Sequence, residues 1–276
     1  MKLMINLQNK INKISGNFKL ENEIKSGPIS KIFSCEFNNI KSIVRFDLPL
    51  ASKLKLNRIK EIMILNEISF LNQSPKILFN NISEGILIWE YISGAQLNIS
   101  KNDEPLLTDL SRSLKKIHQI KLSKSIVTNF NKSIISYKAL LIDSPNQKLI
   151  NKGLKLFEEI YDEDAPRVFS HNDLNKTNLL LGSKIYFLDW EYASMNSPYF
   201  DIASLAATFN LDNVGINILL EGYSDNFIAI NQEKLKNWIS FTYYLDYLWR
   251  MSIVKLDDSY NKTMKLDEFE SFLLNL

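Results

Sequence analysis

The apolar residues of this chain pass from mostly strand-like to mostly helical spacing near residues 91–94, and that shift governs what the chain can fold into. Before it, short runs alternate as strands do. Residues 18–24 read as a strand and Ser26-Gly27-Pro28-Ile29-Ser30 as a turn. Residues 31–37 and the β-branched stretch 42–46 complete an antiparallel meander. From Lys53 the period lengthens: Leu54, Ile59, Ile62, Met63 and Leu65 recur near helical spacing, with Arg58, Lys60, Glu61 and Glu67 interleaved. Ser74-Pro75 is the expected stop of that helix, and two short strands follow at residues 77–79 and 85–91. Beyond Ser93-Gly94 the chain turns helical. Leu106, Leu110, Leu114 and Ile117 stripe residues 105–120, two more helices fit within 135–160, and helix resumes from Asp201. At 276 residues the chain exceeds the roughly 100–200 residues usual for one domain. The expected class is α+β and bilobal. Residues 1–93 form a small antiparallel-β lobe with one main helix, and residues 94–276 a larger, mostly helical lobe.

Loop and strand character interrupts the helical part at residues 168–190, and the chemistry lies there. Ser170-His171-Asn172-Asp173-Leu174-Asn175-Lys176-Thr177-Asn178 has the form H-x-D-x-x-x-x-N, and an apolar stretch leads from it to Asp189-Trp190-Glu191. Phosphoryl transfer demands such a set: one aspartate to accept the proton of an attacking hydroxyl, and an amide and a second carboxylate to hold Mg²⁺ on nucleotide phosphates. On that reading Asp173 is the catalytic base, Asn178 and Asp189 are metal ligands, and His171 braces the loop. A hairpin turning at Gly182-Ser183 is expected to bring Asp189 back beside the other two. A polar turn before an ordinary strand would match H-x-D-x-x-x-x-N by itself; the apolar strand and Asp-Trp-Glu that follow favour the kinase-like reading.

Composition removes several alternatives. Thirty-three basic residues stand against 31 acidic, a net charge of +2, so nothing drives the whole chain towards nucleic acid. A single cysteine, Cys35, cannot form an intramolecular disulfide, which suits a reducing compartment. Two histidines and one cysteine are a poor basis for a zinc site, and His118, ending an amphipathic helix, reads as a capping or packed residue. The apolar run near the N-terminus is broken by Asn6, Gln8 and Asn9, and residues 86–92 contain Glu90, far short of the ~20 apolar residues a bilayer requires. The expectation is a cytoplasmic protein with no membrane partner.

The stretch HNDLNKTNLL, followed by FLDWEYASMNSPYFDIASLA, resembles the choline/ethanolamine kinase group of the aminoglycoside-phosphotransferase-like kinases, with thiamine kinases as close relatives. The resemblance is dense from residue 170 to 206 and looser over 24–97. It implies the bilobal protein-kinase-like fold, with a nucleotide-binding first lobe and a second lobe for catalysis and substrate, and ATP with Mg²⁺ as cofactors. It places the nucleotide-covering loop at residues 26–30, with Ser26 and Ser30 as contacts, although Pro28 and the scarcity of glycine leave fewer N–H groups for phosphates. Arg45 matches the basic residue of the third strand that contacts the phosphates, Glu61 the helical glutamate that orients it, and Glu90 to Ile92 the hinge facing adenine. Asp201 matches an aspartate that braces the catalytic loop from behind.

The acceptor implied is a small cationic alcohol, most simply choline or ethanolamine. A quaternary ammonium calls for aromatic faces and a carboxylate, and Tyr243, Asp246 and Trp249 recur on one C-terminal helix while Glu191 adjoins the metal aspartate. A cation site from Glu191, Asp246 and Trp249, with Tyr243 nearby, is the candidate; packing of that helix on the core is its alternative. Thiamine kinase, an aminoglycoside phosphotransferase and a nucleotide-binding pseudokinase remain the competing readings.

Overall fold

The computed structural model describes residues 2–100, 103–224 and 226–276. In chain order its elements are α1 (Lys2–Ile11), β1 (Phe18–Ser26), β2 (Ser30–Phe37), β3 (Ile40–Asp47), α2 (Pro49–Lys53), α3 (Arg58–Glu67), β4 (Ile77–Asn81), β5 (Ile86–Glu90) and β6 (Ala95–Gln96). There follow α4 (Glu104–His118), α5 (Asn131–Leu140), α6 (Gln147–Ile160), β7 (Val168–Ser170), β8 (Leu179–Leu181), β9 (Ile185–Phe187) and β10 (Ser194–Asn196). The chain ends in α7 (Pro198–Thr208), α8 (Asn213–Ser224), α9 (Gln232–Leu256), α10 (Asn261–Met264) and α11 (Leu266–Leu274). Two compact units result: Met1–Ala95 with Gly182–Glu191, and Gln96–Leu181 with Tyr192–Leu276. The segment carrying Asp189 belongs to the first of these units.

The first unit is built on a five-stranded antiparallel sheet in the order β1-β2-β3-β5-β4. Alternation sends Phe33, Cys35, Phe37, Val44, Phe46, Ile86 and Ile88 to one face as its core. Burial of that order pushes the Cys35 thiol up to about 12, so the lone cysteine is an inert core residue. Leu7, Ile11 and Ile14 pack on the same core, and the ammonium of Lys10 donates to the carbonyls of Asp47 (2.9 Å) and Glu84. Sequence reasoning saw no helix here, yet Leu7, Ile11 and Ile14 recur at i, i+4 and i+7.

The single helix expected from Lys53 is two. The chain breaks after α2, where Lys55 takes a left-handed conformation (φ +57°), and α3 restarts behind Asn57, whose side chain accepts from the Lys60 N–H at 3.0 Å. Helix α3 also stops at Glu67, before Ser74-Pro75, and a short 3₁₀ turn fills the interval.

The second unit is helical. Helix α9 is its axis, burying Trp238, Phe241, Tyr244, Tyr247 and Leu248. Phe157 of α6 and Phe200 of α7 meet Trp238 edge-on, with ring centroids 6.4 and 6.2 Å apart. Gly153 makes the α6–α9 approach feasible, since a Cβ there would lie 2.9 Å from the Tyr244 Cβ. Strands β7 and β10 pair antiparallel, Ser170 opposite Ser194, and hold the two ends of the H-x-D loop region. No helix among the described residues is long and apolar enough to cross a membrane.

Candidate active site

In the first unit the polar residues of β3 and α3 meet in a buried charge network. Arg45 and Asp47, two residues apart, share the strand face opposite the Val44–Phe46 core. Arg45 donates from both terminal nitrogens to the two oxygens of Glu61, each at 2.7 Å, and its side chain is 6% exposed against 2% for Glu61. Two parallel charge-assisted bonds of this kind fix orientation as well as position. Arg58, one helical turn before Glu61, gives Nε and Nη2 to the two Asp47 oxygens at 2.8 Å each. Its Nη1 reaches both Glu61 (3.0 Å) and Glu191 (2.5 Å).

Burial opposes charge on every member, and the partners decide the outcome. Burial alone would lower the Arg45 pKa, but Glu61, Asp47 and Glu191 together hold it above the ordinary arginine value. Burial alone would raise Glu61, but Arg45 and Arg58 hold it below the ordinary carboxylate range. Glu191 goes the other way. Burial, helped by neighbouring Asp189, pushes its carboxyl up to about 8 against the pull of Arg58 and Arg45. Two guanidiniums facing four carboxylates leave surplus negative charge, and Glu191 is where that surplus is felt.

Asp189 lies at the exposed side of this network, its side chain 27% exposed. Its backbone is left-handed (φ +64°), a conformation that aspartate, like asparagine, adopts in turns. Arg45 Nη1 stands 3.7 Å from its Oδ1, and that buried oxygen finds no hydrogen-bond donor among the described residues. The turn is anchored on its N-terminal side. Buried Trp190 donates Nε1 to the Phe187 carbonyl at 3.0 Å, and β9 is tied to Gln73 by Phe187 N–H (2.8 Å) and by the Gln73 amide on Ile185 (3.2 Å). Gly182 has no alternative in the preceding turn, since a Cβ would stand 2.5 Å from the Ser93 carbonyl oxygen.

The second unit carries the H-x-D loop. Asp201, in the first turn of α7 and wholly buried, accepts the backbone N–H groups of His171 (2.7 Å) and Asn172 (2.9 Å). His118 from α4 stands behind it, with Nε2 3.1 Å from Asp201 and Nδ1 2.7 Å from the Tyr223 hydroxyl. Asn172 is left-handed (φ +64°), a conformation asparagine tolerates. Its amide nitrogen donates to the Ser194 hydroxyl at 2.8 Å, and its oxygen accepts from Asn196 at 2.7 Å. The loop then presents Asp173, half-buried, with Asn175 on one carboxylate oxygen (2.9 Å) and Asn178 on the other (2.7 Å). Asn178 also donates to the Asp173 carbonyl at 2.9 Å.

The remaining expected residues fall as follows. Ser26 and Ser30 flank a turn closed by Gly27 N–H on the Ser30 carbonyl at 3.0 Å. The N–H groups of Glu90 and Tyr91 are engaged by the Lys76 and Lys41 carbonyls at 3.0 and 3.1 Å, and Ile92 is half-buried beside them. On α9, Trp249 Nε1 donates to the Tyr192 hydroxyl at 3.0 Å, and Tyr243 packs edge-on against Phe272 at 5.1 Å. The carboxylates expected in a cation site are already engaged. Asp246 accepts from Arg250 at 3.0–3.1 Å, and Glu191 accepts from Arg58. Sequence reasoning gave no role to Arg58, Asp47 or Tyr192; it read His118 as a capping or packed residue, which its burial bears out, but did not foresee its contacts with Asp201 and Tyr223.

The sequence profile described as choline/ethanolamine kinase matches residues 22–251, most of the chain. The chain belongs to that family. A LicA homologue of Mycoplasma capricolum is 29% identical over 153 residues, covering 55% of this chain and 62% of the relative, so the match spans less than two-thirds of that relative's length. Among solved structures, choline kinase LicA from Streptococcus pneumoniae has a TM-score of 0.77 at 20% identity, over 100% of both chains. LicA in complex with AMP gives 0.75 at 21%, over 99% of this chain and 98% of that one. Family and fold agree: a protein-kinase-like α+β chain with an antiparallel-sheet first unit and a helical second one.

Proposed function

We propose that this chain is an ATP- and Mg²⁺-dependent kinase that transfers the γ-phosphoryl group to the hydroxyl of choline or ethanolamine. The observation that carries the reading is the braced loop: Asp173 is held through Asn178 and Asn175 on a backbone clamped by Asp201. Such an aspartate is placed to take up the proton of an attacking alcohol, a contribution of roughly 10²–10⁴ in rate. Arg45, its guanidinium planed by Glu61, meets the nucleotide phosphates; residues 26–30 cover them, and residues 90–92 face the adenine. The family relative solved with AMP supports a nucleotide site in this fold.

Asn178 and Asp189 are the residues that would hold Mg²⁺. The orphaned Oδ1 of Asp189 fits that use, as does the surplus negative charge around it. No group of three His, Cys, Asp or Glu among the described residues is arranged to hold a metal by itself. With two protein ligands, Mg²⁺ would keep waters and take phosphate oxygens as the rest of its shell. When bound, it supplies neutralisation of the charge on the transferring phosphoryl group. The engagement of Asp246 by Arg250 and of Glu191 by Arg58 leaves aromatic faces, Trp249 and Tyr192 among them, to recognise the cationic head of the acceptor.

The test is phosphorylation by ATP–Mg²⁺ across choline, ethanolamine, thiamine and one aminoglycoside. Transfer to choline or ethanolamine is expected, with Asp173→Asn lowering kcat by roughly 10²-fold or more while ADP affinity stays within about twofold. Transfer to thiamine or the aminoglycoside alone refutes the acceptor, and undiminished turnover by Asp173→Asn refutes the base.

A further inference from the structure

We propose that Arg58 is a positioning residue for the Asp189-Trp190-Glu191 turn: by tying Glu191 to Asp47 and Glu61, it holds the Asp189 carboxylate in its metal-binding pose. The inference rests on Asp189 being a metal ligand. Asp189 sits in a left-handed turn (φ +64°), and two contacts pin that turn in place. On one side the contact is the buried Trp190, bonded back to Phe187 at 3.0 Å. On the other it is Glu191, whose side chain is 9% exposed and whose Oε2 lies 2.5 Å from Arg58 Nη1. Arg58 is itself bonded at all three nitrogens. Nε and Nη2 form a fork on Asp47, Nη1 bridges Glu61 and Glu191, and the side chain is 10% exposed.

Asp47 and Glu61 are also the partners of Arg45, at 3.3 and 2.7 Å. One planar cation therefore joins the strand and helix that orient Arg45 to the turn that presents Asp189. A lysine cannot do this. Its three donors radiate from one nitrogen, and reaching three carboxylates on three segments needs the fixed fork of a guanidinium.

The experiment reads metal dependence without turnover. ADP affinity is measured by calorimetry with and without Mg²⁺, for the wild type, Arg58→Met, Arg58→Lys, Glu191→Leu, the Arg58→Met/Glu191→Leu pair and Asp189→Asn, with thermal melts as a fold check. Loss of an outer partner of a metal ligand costs roughly 10–100-fold in metal affinity. Arg58→Met, Arg58→Lys and Glu191→Leu are each expected to lose a factor of that order from the Mg²⁺-dependent gain in ADP affinity, and Glu191→Leu, which leaves Arg45 and its partners in place, to keep metal-free ADP binding within about twofold. The double variant is expected to lose no more than the worse single one, because both break one link.

Full rescue by Arg58→Lys overturns the proposal, as do losses that multiply in the double variant. So does a lower melting temperature with metal dependence intact. Asp189→Asn separates the two layers. If it abolishes the Mg²⁺ gain while Arg58→Met does not, the positioning role alone fails; if it leaves the gain untouched, the ligand reading fails. Should Arg58→Met not fold, Arg58→Lys and Glu191→Leu decide.

Discussion

Replacing Asp201 by asparagine removes one charge and converts one acceptor oxygen into a donor, in a site with no exposure to solvent. The two carboxylate oxygens serve three groups: Oδ2 takes the His171 N–H at 2.7 Å and faces His118 at 3.1 Å, while Oδ1 takes the Asn172 N–H at 2.9 Å. Whichever oxygen becomes the amide nitrogen, one backbone N–H loses its acceptor and meets another donor. His118 can adapt by exchanging tautomers with Tyr223 as its other partner; the backbone cannot. An unsatisfied buried donor costs about 1–3 kcal/mol, and losing the charged acceptor on the other N–H adds about 1 kcal/mol more. The expected loss is about 3 kcal/mol, or on the order of 6–12 °C in the melting transition of the second unit. Thermal unfolding of Asp201→Asn followed by far-UV circular dichroism measures it, with turnover at 25 °C as the second readout. Turnover should fall along with stability because the displaced N–H belongs to the segment leading into Asp173. A stability change under 1 kcal/mol would refute the claim that Asp201 clamps the loop. A full loss of stability with unchanged kcat would refute the link from clamp to chemistry.

Three further outcomes follow from the first unit. Gly85→Ala should destabilise by about 2–4 kcal/mol in a denaturant titration, since Gly85 is left-handed (φ +62°) and the new Cβ would stand 2.7 Å from the Asp47 Cβ. The Glu61 carboxyl lies below its ordinary value of 4.5, so its stabilising contribution is complete above that pH and drains away as pH falls through the folded-state value. Glu61→Gln should be less stable at neutral pH and should lack that acid-side slope; an unchanged slope would point to another carboxylate. Glu191 has the opposite sign. Its carboxyl is raised from 4.5 to about 8, so the unfolded chain releases the proton first and stability falls as pH rises through that window. Glu191→Gln should flatten stability between those limits, as measured by urea midpoints from pH 4 to 9.

What the sequence disclosed depended on whether the relevant partners lie near one another along the chain. The meander was readable because strand alternation is a two-residue signal, and Ile43, Val44 and Phe46 carry it without help. Asp173 and Asn178 were readable because a loop of fixed spacing holds both. Arg58 was not. Its relation to Glu61 is an ordinary i,i+3 pair of a kind normally found on solvated helix faces, while Asp47 and Glu191 arrive from a strand and from a turn 133 residues away. His118 posed the same difficulty, since its partners Asp201 and Tyr223 lie 83 and 105 residues further on. The break between α2 and α3 was hidden for a different reason. A left-handed lysine at residue 55 has no compositional mark, and Leu54 kept the helical period running across the gap.

The two polar networks differ in a way that sorts bracing from binding. Around Asp201 the acceptors and donors match: three donors meet two carboxylate oxygens with no charge partner left over, as a buried network must be if it is to rigidify a loop. Around Arg45 and Arg58 they do not match. Four carboxylates face two guanidiniums, Glu191 is driven up to about 8, and one oxygen of Asp189 has no donor among the described residues. Apolar side chains of similar volume would serve folding as well as such an ion cluster does, or better. Stability alone therefore gives no reason for this chain to keep an aspartate beside surplus negative charge. The proposed Mg²⁺ would supply the reason, and it would take Asp189, whose side chain is open to solvent by about a quarter.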